Sequence, residues 1–393
     1  MGVPVRLDHA SDIARGANNF DLLRLAAAIL VLFNHSFDLT ATVVPLPSLV
    51  NRTNIGWSTV GVLIFFAISG FLIARSWTYD PRVLAFAVKR GLRLLPALVV
   101  SLLVTALVLG PLVTTLPVST YLETPATKWY VLQNSILWTD YSLPGVFATN
   151  TYPDAVNGSL WTLPVEVKAY VLVAAIGMLG IFRRAPMIVV GIALIWCLWT
   201  IDVFRNNMPL GNRAVASLVD IQTNSGTVGR AWAGEFTDWL RVFTVFTIGM
   251  ALFSIRRWVW LRWDLVGLAA LIWGATIAIG PDASWHAFIF LLPYVLLVVA
   301  YRTTQWVRLP RRFGDYSYGI YIIAFPVQQF MSQVFSPSSG WLMFALALPV
   351  TVALAVLSWH FVEAPALTLK KYLVLPEEHP TLSREALDPV KLG

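Results

Sequence analysis

Apolar runs long enough to cross a lipid bilayer recur along the whole chain and constrain its fold more than any other feature. A membrane-spanning helix needs about 20 apolar residues, and hydrophobic residues make up 57% of the 393 positions. Only 12% are charged, against about 25% in soluble domains. We predict spans at residues 20–41, 57–76, 94–116, 159–180, 186–204, 236–254, 263–280, 284–301, 313–334 and 340–361. Because lipid offers no partner for unpaired backbone groups, the sequence predicts an all-α polytopic membrane protein, a bundle of about ten transmembrane helices.

Lysine and arginine residues are distributed unevenly between the two alternating sets of connections. The set that includes both termini holds 20 of the 28 basic residues, the other set holds five, and the remaining three lie inside spans. Because basic loops remain in the cytoplasm, we expect a cytoplasmic N-terminal tail (1–19), a ten-helix domain (20–361) and a cytoplasmic C-terminal tail (362–393). We expect most of these basic residues to contact membrane lipids, so the net charge of +7 does not indicate nucleic acid.

The first predicted span, FDLLRLAAAILVLFNHSF, contains both Arg24 and His35. A charge at mid-bilayer costs roughly 3 kcal/mol on insertion scales, so such side chains normally face a cavity or a partner. The two residues share one helix face, about 16 Å apart along the axis, and Asp38 could orient the imidazole from three positions on. We predict a polar path along this face. Alternatively, Arg24 could extend to the membrane interface and His35 could form only a structural hydrogen bond.

The fourth span begins with SLWTLPVEVKAY and carries Glu166, with Tyr170 four residues later on the same side. Glu166 is expected about two turns in from the outer face, at a depth similar to that of His35. A carboxylate and an imidazole inside a membrane are candidates for proton transfer. The alternative is a structural ion pair between Glu166 and either Lys168 or Arg241.

Two further groups of residues have functional potential. Arg90 and Arg93 lie one helical turn apart in a basic segment, residues 82–95, that precedes the third span. Arginine binds phosphate through paired hydrogen bonds, so this segment suits a phosphorylated ligand, with anionic lipid as the alternative. In the ninth span, Tyr318 and Tyr321 give the helix a polar, aromatic side.

Metal chemistry is not expected from this sequence. The single cysteine, Cys197, excludes an internal disulfide or a cysteine-rich metal site. The five histidines lack the spacing of metal ligands. We therefore predict no metal.

Six short motifs in a fixed order give the chain a family resemblance. They are FDLLRLAAAILVLFNHSF, SGFLIARSW, KRGLRLLP, SLWTLPVEVKAY, YSYGIYIIAFP and FVEAP. Over almost all of residues 19–370, the chain resembles the membrane acyltransferase-3 family, which includes bacterial O-antigen and exopolysaccharide O-acetylases. The resemblance implies ten core helices and an acyl-coenzyme A donor that binds from the cytoplasm, with acetyl the most frequent acyl group. It also implies transfer to a hydroxyl, commonly that of a sugar on the far side of a bacterial inner membrane.

The motifs carry five residues over from the family. His35 resembles the essential family histidine, and Arg24 resembles the arginine of the first span. Arg90 and Arg93 match the RxxR pair, and Glu166 matches the carboxylate that follows the SLW motif.

The chain departs from the family pattern at one position. Many relatives have a histidine after the aromatic stretch of the ninth span, where this chain has Ala324. A mechanism that requires two histidines is therefore not expected.

The resemblance and the residues together suggest roles for ten side chains. The predicted catalytic residues are His35, Asp38 and Glu166; the predicted donor-binding residues are Arg24, Arg90 and Arg93; and the predicted substrate-binding residues are Trp161, Tyr170, Tyr318 and Tyr321. The expected partners are acyl-coenzyme A, a glycan or lipid-linked saccharide acceptor, and membrane lipids. A proton-coupled secondary transporter is the main alternative, because it would also need these groups inside the bundle, and a non-catalytic scaffold is a third.

Overall fold

The computed structural model describes residues 5–13, 18–53, 55–153, 155–184, 186–205, 228–304 and 314–373. These parts of the chain are almost entirely helical. The one sheet among them is a two-stranded antiparallel pair, in which β1 (Val5–Arg6) lies against β2 (Trp260–Leu261). The predicted all-α character is therefore confirmed for the described residues, apart from this small pair.

The helices are named here in chain order. The first eight are α1 (Leu7–Ile13), α2 (Phe20–Asp38), α3 (Pro47–Thr53), α4 (Trp57–Tyr79), α5 (Val83–Val104), α6 (Val118–Glu123), α7 (Pro125–Ser135) and α8 (Thr162–Met178). The next eight are α9 (Ile181–Arg184), α10 (Pro186–Arg205), α11 (Val228–Ser254), α12 (Trp263–Ile279), α13 (Pro281–Arg302), α14 (Ser317–Phe335), α15 (Gly340–Ser358) and α16 (Lys370–Leu373). A π-helical turn, Thr105–Leu109, and a short helix, Gly110–Val113, extend α5. A second π-helical turn, Trp359–Glu363, and a short helix, Ala364–Thr368, extend α15, and a 3₁₀ turn, Gly158–Trp161, leads into α8.

Each of the ten predicted spans overlaps a helix of the structure. Among the described residues, six helical segments are long and apolar enough to cross a membrane, namely Phe20–Asp38, Trp57–Tyr79, Val83–Val113, Gly158–Met178, Pro281–Arg302 and Gly340–Leu373. Two shorter apolar helices are Pro186–Ile201 and Trp263–Ile279. The count of ten spans and the orientation of the termini stay predictions. Most of the predicted C-terminal tail, residues 374–393, lies outside the described residues.

The third span begins earlier than predicted. Its helix starts at Val83, so Arg90 and Arg93 lie inside a 31-residue apolar helical segment and not in a segment that precedes it. No proline separates Val83 from Arg93, and the helix continues through both arginines despite Gly91. This correction places the two guanidinium groups among other helices.

Glycines allow α4 to approach its neighbours closely. A Cβ atom at Gly61 would lie 2.5 Å from the backbone oxygen of Ala27 on α2, and one at Gly70 would lie 2.0 Å from that of Phe246 on α11. Small residues at helix contacts are typical of membrane bundles, where packing and not hydrophobicity drives association. Helix α4 is thus fixed between α2 and α11.

Buried amides connect α14 to its neighbours. The Gln328 side chain donates hydrogen bonds to the Leu32 carbonyl oxygen and to Ser36 Oγ of α2, both at 2.8 Å. The Asn157 amide, just before α8, donates to the Ile322 carbonyl oxygen at 2.9 Å. A buried amide that lost its partner would cost about 1–3 kcal/mol, so these bonds hold α14 against both α2 and the start of α8.

Candidate functional site

Helices α2, α4, α5, α8 and α14 enclose a cavity of about 330 Å³, called here the arginine cavity. Its charged lining residues are Arg24, Lys89, Arg90, Arg93 and Glu166, and its polar ones are Ser69, Thr162, Tyr170, Ser317, Tyr318 and Tyr321. The rest of the wall is apolar and comes largely from α4. The volume is within the range of small-molecule sites, and four cations against one carboxylate favour an anionic ligand.

Acidic residues outside the lining neutralise two of these cations. Asp315, just before α14, has Oδ2 3.3 Å from Arg24 Nη1 and 2.5 Å from Arg93 Nη2. Glu363 is 2% exposed, and its Oε2 lies 3.4 Å from Arg93 Nη1. Since an unpaired buried charge is costly, Asp315 and Glu363 stabilise both guanidinium groups in place.

Lys89 is also paired with a carboxylate. Its Nζ lies 2.6 Å from Asp80 Oδ2, in the connection between α4 and α5. Hydrogen bonds from Arg82 first, and also from Lys89, lower the pKa of Asp80 to about 2. Asp80 is therefore ionised at neutral pH and holds Lys89 at the edge of the cavity.

Arg90 differs from the other cations of the cavity. Among the described residues, no carboxylate lies within salt-bridge distance of its guanidinium group, whose Nε is buried without a hydrogen-bond partner. Its Cζ lies 6.0 Å from the ring centre of Tyr170, and the Tyr170 hydroxyl donates to Glu166. Arg90 thus brings to the cavity a positive charge that no described carboxylate pairs with.

The other two tyrosines of the cavity are held by hydrogen bonds. The Tyr318 hydroxyl donates to the Leu94 carbonyl oxygen at 2.8 Å, and the Tyr318 ring centre lies 5.7 Å from Arg93 Cζ. The Tyr321 hydroxyl is 2.9 Å from Thr162 Oγ1. All three tyrosines predicted to bind substrate therefore line the arginine cavity.

A second cavity, of about 130 Å³, is called here the histidine cavity. Its lining residues are Val31, His35, Ser58, Thr59, Val62, Leu63, Ser159, Trp161, Asp238, Arg241, Val242 and Tyr321. The structure brings His35 and Asp38 together, with Nδ1 3.3 Å from Oδ2, and the same Oδ2 accepts a hydrogen bond from Asn34 at 2.8 Å. A proton on Nδ1 donated to Asp38 leaves a lone pair on His35 Nε2 for a reacting group.

An ion pair on α11 forms another side of the histidine cavity. Arg241 Nη1 lies 3.2 Å from Asp238 Oδ1, and Arg241 Cζ lies 4.7 Å from the Trp285 ring centre. The Lys168 ammonium lies 3.6 Å from the Trp239 ring centre. The contacts seen here for the two cations are with Asp238, Trp285 and Trp239, whereas Glu166 accepts a hydrogen bond from Tyr170.

The two cavities have two lining residues in common, Val62 of α4 and Tyr321 of α14. Arg24 lines the arginine cavity and His35 the histidine cavity, although both lie on one helix. Glu166 also lines the arginine cavity, and the similar depth expected for Glu166 and His35 stays a prediction. The 3₁₀ turn before α8 places Trp161 in the histidine cavity, five residues before Glu166.

Sequence reasoning missed two acidic residues of the site, Asp315 and Asp238. Asp315 had a local signal, because it precedes Ser317 by two positions, and its Oδ1 accepts hydrogen bonds from Ser317 N (3.3 Å) and Oγ (2.5 Å) at the start of α14. That signal predicts a helix start and not a partner for Arg24 and Arg93. The pairing of α5 with the segments before α14 and after α15 is visible only in three dimensions.

Comparisons with known proteins agree on one family. Residues 18–360 match the acyltransferase-3 family, described as an acyltransferase domain. The chain is 31% identical to nodulation protein 10 of Rhizobium leguminosarum bv. viciae, over 91% of this chain and 95% of that protein. It is 26% identical to an O-acetyl transferase of Shigella phage Sf6, over 90% of this chain and 96% of the relative. No solved structure shows a significant match.

Proposed function

The chain belongs to the acyltransferase-3 family, and on that premise we propose that it transfers an acetyl group from acetyl-coenzyme A to a hydroxyl of a glycan or lipid-linked saccharide. Family membership makes it an acyltransferase, and its apolar helices point to a multi-pass membrane protein. The name of the phage relative supports an acetyl group and an oxygen acceptor. We assign the protein to a bacterial inner membrane, with the donor arriving from the cytoplasm and the acceptor on the cell-surface side.

The arginine cavity supports the donor part of this proposal. Its volume of about 330 Å³ and its charged and aromatic wall suit an elongated anion with phosphate groups. Arg90 is the side chain best suited to bind phosphate, because it lines the cavity with no described carboxylate paired to its guanidinium group, and arginine forms strong paired bonds with phosphate. Arg24 and Arg93 add positive potential, while Asp315 sets their positions.

The histidine cavity supports the chemical part. His35 Nε2 accepts the proton of the acceptor hydroxyl as its oxygen attacks the thioester carbonyl. The new C–O bond forms, the C–S bond breaks, and the proton is returned to the leaving sulfur, so that coenzyme A departs as a thiol. Asp38 orients the imidazole and stabilises the positive charge that develops on it.

The same cavity offers groups that fit a sugar. Trp161 provides an aromatic surface, Ser58 and Thr59 provide hydroxyl groups, and the Asp238–Arg241 pair provides both an acceptor and donors. Saccharide hydroxyl groups both donate and accept hydrogen bonds, so this mixed set can fix one of them beside His35. Trp161 thus keeps its predicted role in substrate binding.

We assign Glu166 to the donor side and not to direct contact with His35. Its carboxylate accepts the hydrogen bond from Tyr170, and Tyr170 lies against Arg90. Glu166 therefore positions Tyr170 and adds negative potential near Arg90, which keeps the guanidinium group inside the cavity. The ring of Tyr318 lies against the Arg93 guanidinium group, as the ring of Tyr170 does against that of Arg90.

A single arrangement carries the proposal: an acyltransferase chain in which a buried, carboxylate-free guanidinium group and a carboxylate-oriented imidazole line adjoining cavities. The test compares surface glycans from a deletion strain, the complemented strain and a strain carrying His35→Ala, analysed by mass spectrometry. We expect acetyl groups on the glycan only in the complemented strain. Identical glycans in all three strains would refute a glycan acceptor.

A radiolabelled donor identifies the acyl group and shows which molecule receives it. Purified full-length protein is incubated with radiolabelled acetyl-coenzyme A and glycan from the deletion strain. We expect label in the glycan and free coenzyme A in equal amounts. Release of coenzyme A without labelled glycan would show that the acceptor is another molecule, and no consumption of the donor would contradict acetyl-coenzyme A itself.

A further inference from the structure

The boundary between the two cavities is one layer of side chains. Val62 and Tyr321 line both cavities, and they are 7% and 8% exposed. They come from two helices, α4 and α14, that both pack against α2. We call these two residues the partition.

The partition is held rigidly on both sides. The residue before Val62 is Gly61, where α4 approaches the Ala27 backbone of α2 too closely for a side chain, so α4 cannot shift toward α2. Valine in a helix has one strongly preferred rotamer. The Tyr321 hydroxyl is 2.9 Å from Thr162 Oγ1 and 3.3 Å from the Ser159 carbonyl oxygen.

The Tyr321 ring is also packed from the side. Its centre lies 5.6 Å from that of Phe65, in an edge-to-face contact, and Phe65 belongs to α4 like Val62. Edge-to-face aromatic pairs add about 0.5–1.5 kcal/mol beyond area burial. The gap between Val62 and Tyr321 is therefore defined by packing and hydrogen bonds rather than by mobile side chains.

We propose that the partition selects the length of the transferred acyl group. This inference rests on the proposed function: the donor is bound in the arginine cavity and the base is in the histidine cavity, so the acyl carbonyl must reach the boundary between them. The rest of the acyl chain then needs space at Val62 and Tyr321. A small acyl group fits there, and each added methylene meets side chains that cannot move aside.

The experiment measures donor selectivity. Purified full-length protein and glycan from a deletion strain are supplied with acetyl-, butanoyl- and hexanoyl-coenzyme A, and acylated glycan is quantified by mass spectrometry. We expect Val62→Ala to raise the ratio of butanoyl to acetyl transfer about tenfold, because one methylene in a fitted pocket changes rates by roughly 10–200-fold. Val62→Ile should lower acetyl transfer and abolish butanoyl transfer.

A matched variant separates selectivity from stability. Val173 on α8 is fully buried and lines neither cavity, so Val173→Ala removes the same atoms without touching the partition. We expect its donor ratio to equal that of the unmodified protein. Opposite shifts in the alanine and isoleucine variants of Val62 cannot both result from unfolding.

The outcomes distinguish this inference from the proposed function. Unchanged donor ratios in both Val62 variants, with acetyl transfer intact, would overturn selection by the partition and leave the proposed function standing. Absence of acetyl transfer in the unmodified protein would instead refute the proposed function, and this inference would fall with it. An equal shift in Val173→Ala would also overturn the inference.

Discussion

The arginine cavity and the histidine cavity adjoin each other but are built in opposite ways. The first has a volume of about 330 Å³ and four cations, three of which are held by carboxylates on other segments. The second has about 130 Å³, one imidazole and one ion pair. Under the proposed function, this difference is a division of work, in which one cavity binds and orients a charged ligand and the other transfers a proton.

The cost of burying a charge explains why the arginine cavity and the histidine cavity differ. A guanidinium group in a membrane bundle is stable only with a partner or a polar cavity, so collecting several of them requires nearby acids such as Asp315 and Glu363. A general base needs a free lone pair and few competing cations. Because Val62 and Tyr321 lie between the two cavities, Arg24, Arg90 and Arg93 line a different cavity from the imidazole.

The largest expected effect is at the imidazole. His35→Ala should lower the turnover number by about 10²–10⁴-fold, because a general base contributes that much, while the dissociation constant of acetyl-coenzyme A stays unchanged. Steady-state transfer and equilibrium donor binding measure the two quantities. His286→Ala on α13, outside both cavities, is the control. A parallel loss of donor binding in His35→Ala would show that the cavities form a single binding unit.

The second prediction concerns the free energy of unfolding and the carboxylate that pairs with two cations of the arginine cavity. Asp315→Asn should destabilise the fold by about 3–5 kcal/mol, because it leaves two buried cations with a weaker partner. Thermal unfolding of the detergent-solubilised protein measures it. Asp264→Asn, which breaks an exposed pair with Arg262, should cause a much smaller change. Equal unfolding temperatures for the two variants would mean that Asp315 does not stabilise the arginines.

A smaller effect is expected at the cation that has no carboxylate. Arg90→Gln should raise the KM for the donor roughly tenfold to hundredfold, since a charged hydrogen bond contributes about 1.5–3 kcal/mol, with little change in turnover at saturation. Arg183→Gln serves as the control, because Arg183 binds the Thr78 carbonyl oxygen outside both cavities. A fall in turnover with an unchanged KM would place Arg90 in the chemical step.

The smallest effect is expected at the residue that orients the base. Asp38→Asn should lower turnover by roughly twofold to fivefold, because the carboxylate is 46% exposed and exposed charge pairs contribute at most about 1 kcal/mol. Donor binding should be unchanged, which transfer assays at saturating donor can verify. If Asp38→Asn were as inactive as His35→Ala, the carboxylate would have a direct catalytic part.

Most of the fold could be predicted from the sequence, because its signals are local. Apolar runs predict membrane helices wherever water is absent, and each predicted span overlaps a helix. The prediction that the third span starts after Arg93 is wrong, because charged residues mark the end of an apolar run in the sequence. A helix can contain such arginines where other segments supply carboxylates, as Asp315 and Glu363 do for Arg93. The number of helices that cross the membrane depends on the thickness of the lipid bilayer as well as on the lengths of the helices.

For the site, hydropathy and helical periodicity alone predict which polar residues must avoid lipid and that Arg24 and His35 share one face of α2. The packing of the helices shows that these two residues line different cavities, that Asp315 and Glu363 neutralise Arg93, and that Asp238 and Arg241 line the same cavity as His35. The physical reason is that helical periodicity fixes a direction around one axis, while a cavity forms between several axes. The residues that surround each side chain depend on close helix contacts, such as that of Gly61 with Ala27. These contacts bring together segments that are distant in the chain.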